Sequence, residues 1–354
     1  MSDIINENEE KFLKLLKLVS PGTPIRQGLE IILQANTGGL IVVGDTQEVI
    51  NATDGGFKVD CPLTPTALAE LSKMDGAIII SKDIKKISYA NVQLVPDYLI
   101  PTTERGTRHR AAERMAKQTD CPVIAISQSR RVITLYQGNI KYVLKGIPEL
   151  ISRASQALQT MERYRMAFSK VLDELELLEF RGEVKLYNVV RTVQRGQMIK
   201  KIKEEIERYI IELGEEARLI KMQLKEIVGD AVEENEWIVQ DYAREDPEKV
   251  LLELEQMSMD KLLETKNIIR ILGYEAKPEN LDLSVFPRGY RILSKIPRLP
   301  TPVVKNVVNF FGDLPNIMKA TVSELTKINE VGEKRANFIK QELERLKNKA
   351  LLGR

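Results

Sequence analysis

The stretch Asp75-Gly76-Ala77-Ile78-Ile79-Ile80 decides how the N-terminal part of the chain is read. Asp-Gly is a turn signal, and here it opens directly onto an apolar run that ends in three β-branched residues. A short run of that kind is a strand buried on both faces, which belongs in a sheet with helices on either side. The same texture recurs at Leu40 to Val43, Val123 to Ile126, Val132 to Tyr136 and Ile140 to Leu144, with Gln137-Gly138-Asn139 as a hairpin turn between the last two. Between these runs lie helical patterns. One covers Ile5 to Val19, with Phe12, Leu15, Leu16 and Val19 on one face, and stops at Ser20-Pro21-Gly22. Thr23-Pro24 and Thr64-Pro65 each pair an N-cap with a first-turn proline, and start helices toward Ala35 and Lys73. Residues 1–145 are therefore expected to form an α/β domain, a mixed sheet flanked by helices.

A length of 354 residues suggests two or three domains. The texture changes after Pro148, because no proline follows until Pro247, a gap of 98 residues. Within it Ile199, Ile202, Ile206, Tyr209, Leu213, Ala217, Ile220, Leu224 and Ile227 recur in steps of three and four, the mark of a helix with one buried stripe. Residues 146–285 read as an all-α spine, with Gly182, Gly196 and Gly229 as expected breaks and Trp237 as a core or interface anchor. No site chemistry is legible there.

Residues 286–354 read as a small, basic, all-α domain. From Val285 to Arg354 there are 14 Lys and Arg against 6 Asp and Glu, a surplus of eight; with a net charge of +2 overall, the rest of the chain carries −6. A basic terminus on an acidic body points to a polyanionic partner. The segment Leu325-Thr326-Lys327-Ile328-Asn329-Glu330-Val331-Gly332-Glu333-Lys334-Arg335-Ala336 looks like a helix-hairpin-helix motif, which grips DNA backbone through turn amides. Val331, Gly332, Lys334 and Arg335 are its expected phosphate contacts. The motif usually has glycine where Glu330 stands. Ile296-Pro297-Arg298-Leu299-Pro300 looks like a degenerate partner hairpin, both of its glycine positions lost to Arg298 and Pro300, with Arg298 as a further DNA contact.

Cys61 and Cys121 each precede a proline and lack metal-ligand spacing, so they are expected to be buried apolar residues of a reducing cytoplasm. Asp3, Glu7, Glu9 and Glu10 give the N-terminus the wrong charge for a signal peptide. No segment reaches the roughly 18 apolar residues of a membrane span. The expected place is the cytoplasm, with no membrane partner.

No Gly-x-x-x-x-Gly-Lys-Ser/Thr and no Gly-x-Gly-x-x-Gly occurs, which removes a P-loop and leaves a dinucleotide fold unsupported. The single histidine, His109, stands between Arg108 and Arg110 after Gly106-Thr107. If Thr107 caps a helix, the arginines lie in its first turn and oppose its dipole. That conflict is relieved by a bound anion, since arginine gives forked donors to phosphate and a helix N-terminus adds free amides. Asp75 at a sheet edge suits a divalent metal beside that phosphate.

These two clusters resemble the diadenylate cyclase family, whose marks are the Asp-Gly-Ala turn, here residues 75–77, and the Arg-His-Arg cluster, here residues 108–110. The three-part layout resembles a member that joins a cyclase domain, a helical spine and a helix-hairpin-helix domain. The resemblance implies a nucleotidyltransferase that condenses two ATP into cyclic di-AMP with release of two pyrophosphates, using Mg²⁺ or Mn²⁺. It also implies control by branched DNA and a nucleoid-associated role in DNA damage and repair. Because each ATP must offer its 3′ hydroxyl to the other's α-phosphate, two cyclase domains must face each other in a homo-oligomer. Asp75 is then the catalytic and metal-holding carboxylate, and Arg108, His109 and Arg110 complete the catalytic cluster. Gly76, Ala77, Leu94, Thr107, Ala111, Ser127 and Arg130 join that cluster in holding ATP. Ala111 stands where the family has Thr or Ser, so no hydroxyl contact is expected from it. The competing expectation is a non-enzymatic DNA-structure binder whose first domain only senses nucleotide.

Overall fold

In the computed structural model, which describes residues 2–352, the strands are β1 (Gly39–Val43), β2 (Thr53–Asp54), β3 (Phe57–Pro62), β4 (Ala77–Ile80), β5 (Lys86–Leu94), β6 (Val123–Ser127), β7 (Val132–Gln137) and β8 (Ile140–Val143). They make one mixed sheet in the order β2-β5-β4-β1-β6-β7-β8, with β3 on β5. Only β1 and β4 run parallel, and every other pairing is antiparallel. The helices around the sheet are α1 (Ser2–Leu18), α2 (Pro24–Gln34), α3 (Gln47–Asn51), α4 (Pro65–Leu71) and α5 (Thr107–Thr119). Thr23 and Thr64 cap α2 and α4 by accepting from the amides of Arg26 and Ala67, with Pro24 and Pro65 in the first turn.

The alternation of side chains along each strand divides the core in two. Ile41, Ile78, Ile80, Ile124 and Ile126 pack in the cluster that also holds residues of α1, α2 and α4. Leu40, Val42, Ala77, Ile79, Val123 and Ala125 pack in the cluster that holds Ala112, Met115 and Ala116 of α5. Being covered on both faces is why these strands read as continuous apolar runs.

Three strands escape the sequence reading, for physical reasons. β3 is an edge strand that ends in a proline, and a register shift between Lys58 and Cys61 destroys its alternation. β5 carries two extra residues against β4: Ile79 pairs with Tyr89 but Ile80 with Ile87, and Ala77 pairs with Val92, which leaves a bulge at Ala90 and Asn91. That bulge, with Asn91 at φ 54, changes the phase of the pattern in mid-strand. β2 is two residues long. Cys61 and Cys121 are free thiols only partly buried, not the core residues expected.

The remaining helices are α6 (Ile147–Arg181), α7 (Leu186–Leu213), α8 (Arg218–Val228), α9 (Ala231–Tyr242), α10 (Pro247–Gln256), α11 (Met259–Leu263), α12 (Thr265–Ile271), α13 (Tyr290–Ser294), α14 (Thr301–Phe311), α15 (Leu314–Lys319), α16 (Val322–Leu325) and α17 (Glu333–Leu352). The stripe from Ile199 to Ile227 is interrupted at Gly214, φ 53, where a 3₁₀ turn (Gly214–Ala217) separates α7 from α8. A side chain at Gly214 would meet the Pro21 carbonyl oxygen at 2.4 Å, so the break serves a close backbone approach. Gly196, expected as a break, lies inside α7. A Cβ there would stand 2.3 Å from the Asn235 side chain, so this glycine allows α7 and α9 to touch. Gly182 and Gly229 do end helices, at φ 69 and 48. Trp237 is half-buried.

The chain divides into two compact units, residues 1–154 with 207–221, and residues 155–206 with 222–354. The second unit has one cluster around Phe168, Val189, Ile238 and Ile268 and another formed by α13 to α17 with Phe180 beside it.

Candidate active site

The parallel pair β1 and β4 presents its N-terminal ends at one edge of the sheet. Their antiparallel neighbours β6 and β5 therefore present their C-terminal ends at the same edge. This brings Leu40, Asp75 to Ala77, Leu94 and Ser127 together, although 87 positions of sequence separate Leu40 from Ser127. The start of α5 completes the ring. The resulting cavity, about 810 Å³, is lined by Asp75, Gly76, Ala77, Leu94, Thr107, Arg108, His109, Ala111 and Ser127, and by residues the sequence did not single out, among them Asn91, Gln128 and Ser129.

Among the described residues that line the cavity, Asp75 is the only acid. No hydrogen bond or ion pair engages its carboxylate among the described residues, and the same holds for the Arg108 guanidinium. The turn that carries Asp75 is held from β5: the Gly76 amide donates to Asn91 Oδ1 at 3.1 Å. A Cβ on Gly76 would meet the Asn91 backbone at 2.4–2.8 Å. The bulge that obscured β5 in the sequence is thus what admits the Asp-Gly turn.

Thr107 does not cap α5, as expected from sequence; it is the first helical residue, and Gly106 is the N-cap without a side-chain bond. No acidic residue occupies the first turn, so the free amides and the cations both await an anion. Arg110 is exposed and does not line the cavity. Residues two apart on a helix point about 200° apart, so Arg108 and Arg110 cannot share one cavity. Arg130 also lies outside the lining, although its amide donates to Ser127 Oγ at 3.3 Å.

His109 sits edge-on to Tyr136, ring centroids 6.5 Å apart. Burial holds its imidazole below the ordinary value; Arg130, Arg108 and Lys141 add to that, and Glu104 works against it. Glu104 accepts from Tyr136 Oη at 2.8 Å and pairs with Lys141 at 2.5 Å. Burial raises the Glu104 carboxyl, but these partners outweigh it and leave it below its usual range. Farther along α5, Glu113 accepts from Thr102 Oγ1 and the Thr103 amide, and Arg114 Nε donates to the Ile100 carbonyl. The loop that leads into the site is thereby tied to the helix that lines it.

Among the described residues there is no group of three or more His, Cys, Asp or Glu able to hold a metal alone. One carboxylate still fits a divalent ion of the kind that is held by one or two carboxylates together with substrate phosphates.

In the second unit both hairpins take the same turn. Glu330 and Arg298 stand at φ 66 and 59, so the left-handed position is kept without glycine. The Val331 amide donates to the Ile328 carbonyl, and the Leu299 amide to Ile296. Val331 is buried in the C-terminal core, and with its amide already used it is not free to bind phosphate. Arg335 Nη1 donates to the Glu330 carbonyl. Gly332 and Lys334 are exposed at the start of α17, and the Gly332 amide has no partner among the described residues. The first hairpin is poorer, since Pro300 and Pro302 have no amide hydrogen. Arg298 is exposed there.

Comparison with known proteins gives two family matches. Residues 26–140 match the DisA bacterial checkpoint controller nucleotide-binding family, and residues 144–281 match the DisA bacterial checkpoint controller linker region. The chain is 50% identical to the DNA integrity scanning protein DisA of Carboxydothermus hydrogenoformans, over 96% of this chain and 97% of that one. It is 47% identical to the protein of the same name from Clostridium tetani, over 97% and 96%, and 46% identical to that from Clostridium kluyveri, over 98% of each. No helix among the described residues is long and apolar enough to cross a membrane.

Proposed function

The chain belongs to the family of DNA integrity scanning proteins and is a diadenylate cyclase, and on that premise we propose that the cavity at the Asp75 edge of the sheet is where its ATP is held and joined. One observation carries this reading: Asp75, Leu94, Thr107, Arg108, His109 and Ser127, drawn from four separate places in the chain, line one cavity whose carboxylate and guanidinium have no partner among the described residues. In the reaction two ATP become cyclic di-AMP and two pyrophosphates, each 3′ oxygen forming a bond to the other nucleotide's α-phosphorus as pyrophosphate leaves.

Asp75 polarises the attacking 3′ hydroxyl and is the protein's ligand for Mg²⁺ or Mn²⁺. When bound, that ion neutralises charge on the triphosphate. Gly76 and Ala77 let backbone come close to the nucleotide, and Leu94 lies against adenine or ribose. Arg108, with the Thr107 amide and hydroxyl, holds phosphate oxygens, and Ser127 with Arg130 meets the outer phosphates. His109, its imidazole held below the ordinary value by burial, supports Arg108. Arg110 points away from its own cavity, which suits a contact with the nucleotide of a facing copy. One cavity of this size suits one nucleotide, so the reaction needs two copies face to face, and the protein contributes positioning and charge stabilisation.

Residues 286–354 form the DNA-binding part of the proposal, with residues 146–285 as its connection to a cyclase domain of residues 1–145. Gly332 and Lys334 grip the backbone, with Arg335 and Arg298 in support, and branched DNA lowers cyclase output. A nucleoid-associated place in the cell follows from that binding.

The test is to incubate the full chain with ATP and either Mg²⁺ or Mn²⁺ and identify the nucleotide product. Cyclic di-AMP from the parent and a product rate lowered by about 10²–10³ or more in Asp75→Asn is the expected result. Equal turnover by the variant overturns the assignment of Asp75.

A further inference from the structure

Gly38 immediately precedes β1, and neither charge nor motif spacing draws attention to it. It is buried beside Arg108, which lines the cavity, and its φ lies outside the left-handed region that favours glycine. The backbone there would accept any residue. What a side chain there would displace is the Arg108 fork: a Cβ on Gly38 would lie 1.9 Å from Arg108 Nη1 and 2.9 Å from Arg108 Cζ. The third neighbour, the Ile126 carbonyl oxygen, is 3.2 Å away. The Arg108 guanidinium therefore rests in the space that a side chain at residue 38 would fill. Among the described residues no ion pair or hydrogen bond holds the guanidinium there.

We infer that Gly38 is a positioning residue for the cyclase reaction, its missing side chain being the seat that aims the Arg108 fork into the nucleotide cavity. The inference rests on the reading that Arg108 holds the triphosphate. Its physical basis is that an arginine tied to a protein carboxylate would have to break that tie to meet phosphate. An arginine located by shape alone keeps its donors free and still enters binding pre-placed, with less side-chain freedom left to lose. A methyl at residue 38 leaves the charge of the site unchanged and moves the fork.

The decisive measurement is a double-substitution cycle read by ATP titration of the full-length protein in metal-free buffer, at fixed salt, where ATP binds without turnover. Gly38→Ala is expected to weaken ATP binding by about 10-fold to 100-fold, the range for losing a charged hydrogen bond. In an Arg108→Ala background the same substitution is expected to add nothing, because the clash partner is gone. Thermal unfolding of each variant is recorded in parallel. If Gly38→Ala fails to fold alone but folds beside Arg108→Ala, the methyl collides with the arginine and the inference stands. Misfolding in both backgrounds places the collision at the Ile126 backbone and overturns it. Full ATP affinity in Gly38→Ala, or a further loss beside Arg108→Ala, also overturns it. Full affinity in Arg108→Ala alone instead removes the phosphate role of Arg108, so the two failures are told apart.

Discussion

The cavity of the first unit and the charge cluster at the base of α13 in the second unit treat ionised side chains in opposite ways. In the cavity, Asp75 and Arg108 have no partners among the described residues. In the second unit, Arg291 is fully buried and its two Nη atoms pair with Glu176 and Glu179 of α6 and Glu234 of α9, while Lys295 reaches Glu176. Beside it Asp241 accepts the amides of Gly289, Tyr290 and Arg291 at 2.7–3.1 Å, and Tyr242 donates to Glu179. The difference separates two uses of charge. Groups left free at a wet cavity are available to a substrate; groups buried together are committed to holding α13 on α6 and α9. A buried ion pair contributes little net stability, yet breaking it by removing one partner costs a great deal.

The largest expected effect breaks the committed set. Arg291→Met leaves the buried Glu179 with no cation and Glu176 and Glu234 with Lys295 alone, and should destabilise the second unit by about 3–5 kcal/mol, read from the denaturant midpoint, while ATP affinity of the folded protein stays unchanged. A variant as stable as the parent would show that the cluster does not hold α13. Next comes the free set. Asp75→Asn should slow product formation by about 10²–10³ or more and leave the unfolding midpoint within about 0.5 kcal/mol of the parent. A large loss of stability would move Asp75 to the architectural side of the comparison.

The cluster also governs how DNA binding can be tested. Cutting the chain at Phe286 removes Arg291 from its three carboxylates, so side-chain substitutions are the cleaner probe. Lys334→Ala should weaken duplex binding alike across sequences and reduce the salt slope by about one, measured by titration at several salt concentrations. An unchanged slope would take Lys334 off the phosphate backbone.

The smallest effect concerns pH. Burial, with Glu179 beside it, pushes the Asp241 carboxyl up from 3.8 to about 7. A carboxyl whose folded value is raised stabilises fully below its unfolded value and loses that contribution as pH rises through the folded one. Stability of the second unit should therefore decline between about pH 4 and 7 from this group, and Asp241→Asn should flatten that part of the profile. An unfolding midpoint with the same pH slope in both proteins would exclude Asp241 as its source.

Much of the site was legible in the sequence because charge and turn chemistry are local. Asp75-Gly76 before an apolar run, and cations at a helix start, announce themselves without a partner. The central strands β1, β4 and β6 were legible because burial on both faces leaves an uninterrupted apolar run. Asn91 and Gly38 were not, since each matters through an atom far away in sequence: the Gly76 amide for one, the Arg108 fork for the other. Arg291 looked like one more cation of a basic tail, because nothing within a few residues of it reveals three glutamates from two other helices.

By itself, then, the sequence determined the alternation of helix and strand, the unbalanced cations of Arg108 to Arg110, the acid at Asp75 and the basic tail, all properties of neighbouring residues. The tertiary structure alone decided that one parallel pair flanked by antiparallel strands brings Asp75, Leu94 and Ser127 to a single edge. It also decided that Arg108 faces the cavity while Arg110 does not, and which charges are free and which are spent on one another. Direction and burial are set by strand order and helix phase in three dimensions, and a linear pattern carries no record of which partner occupies the far side.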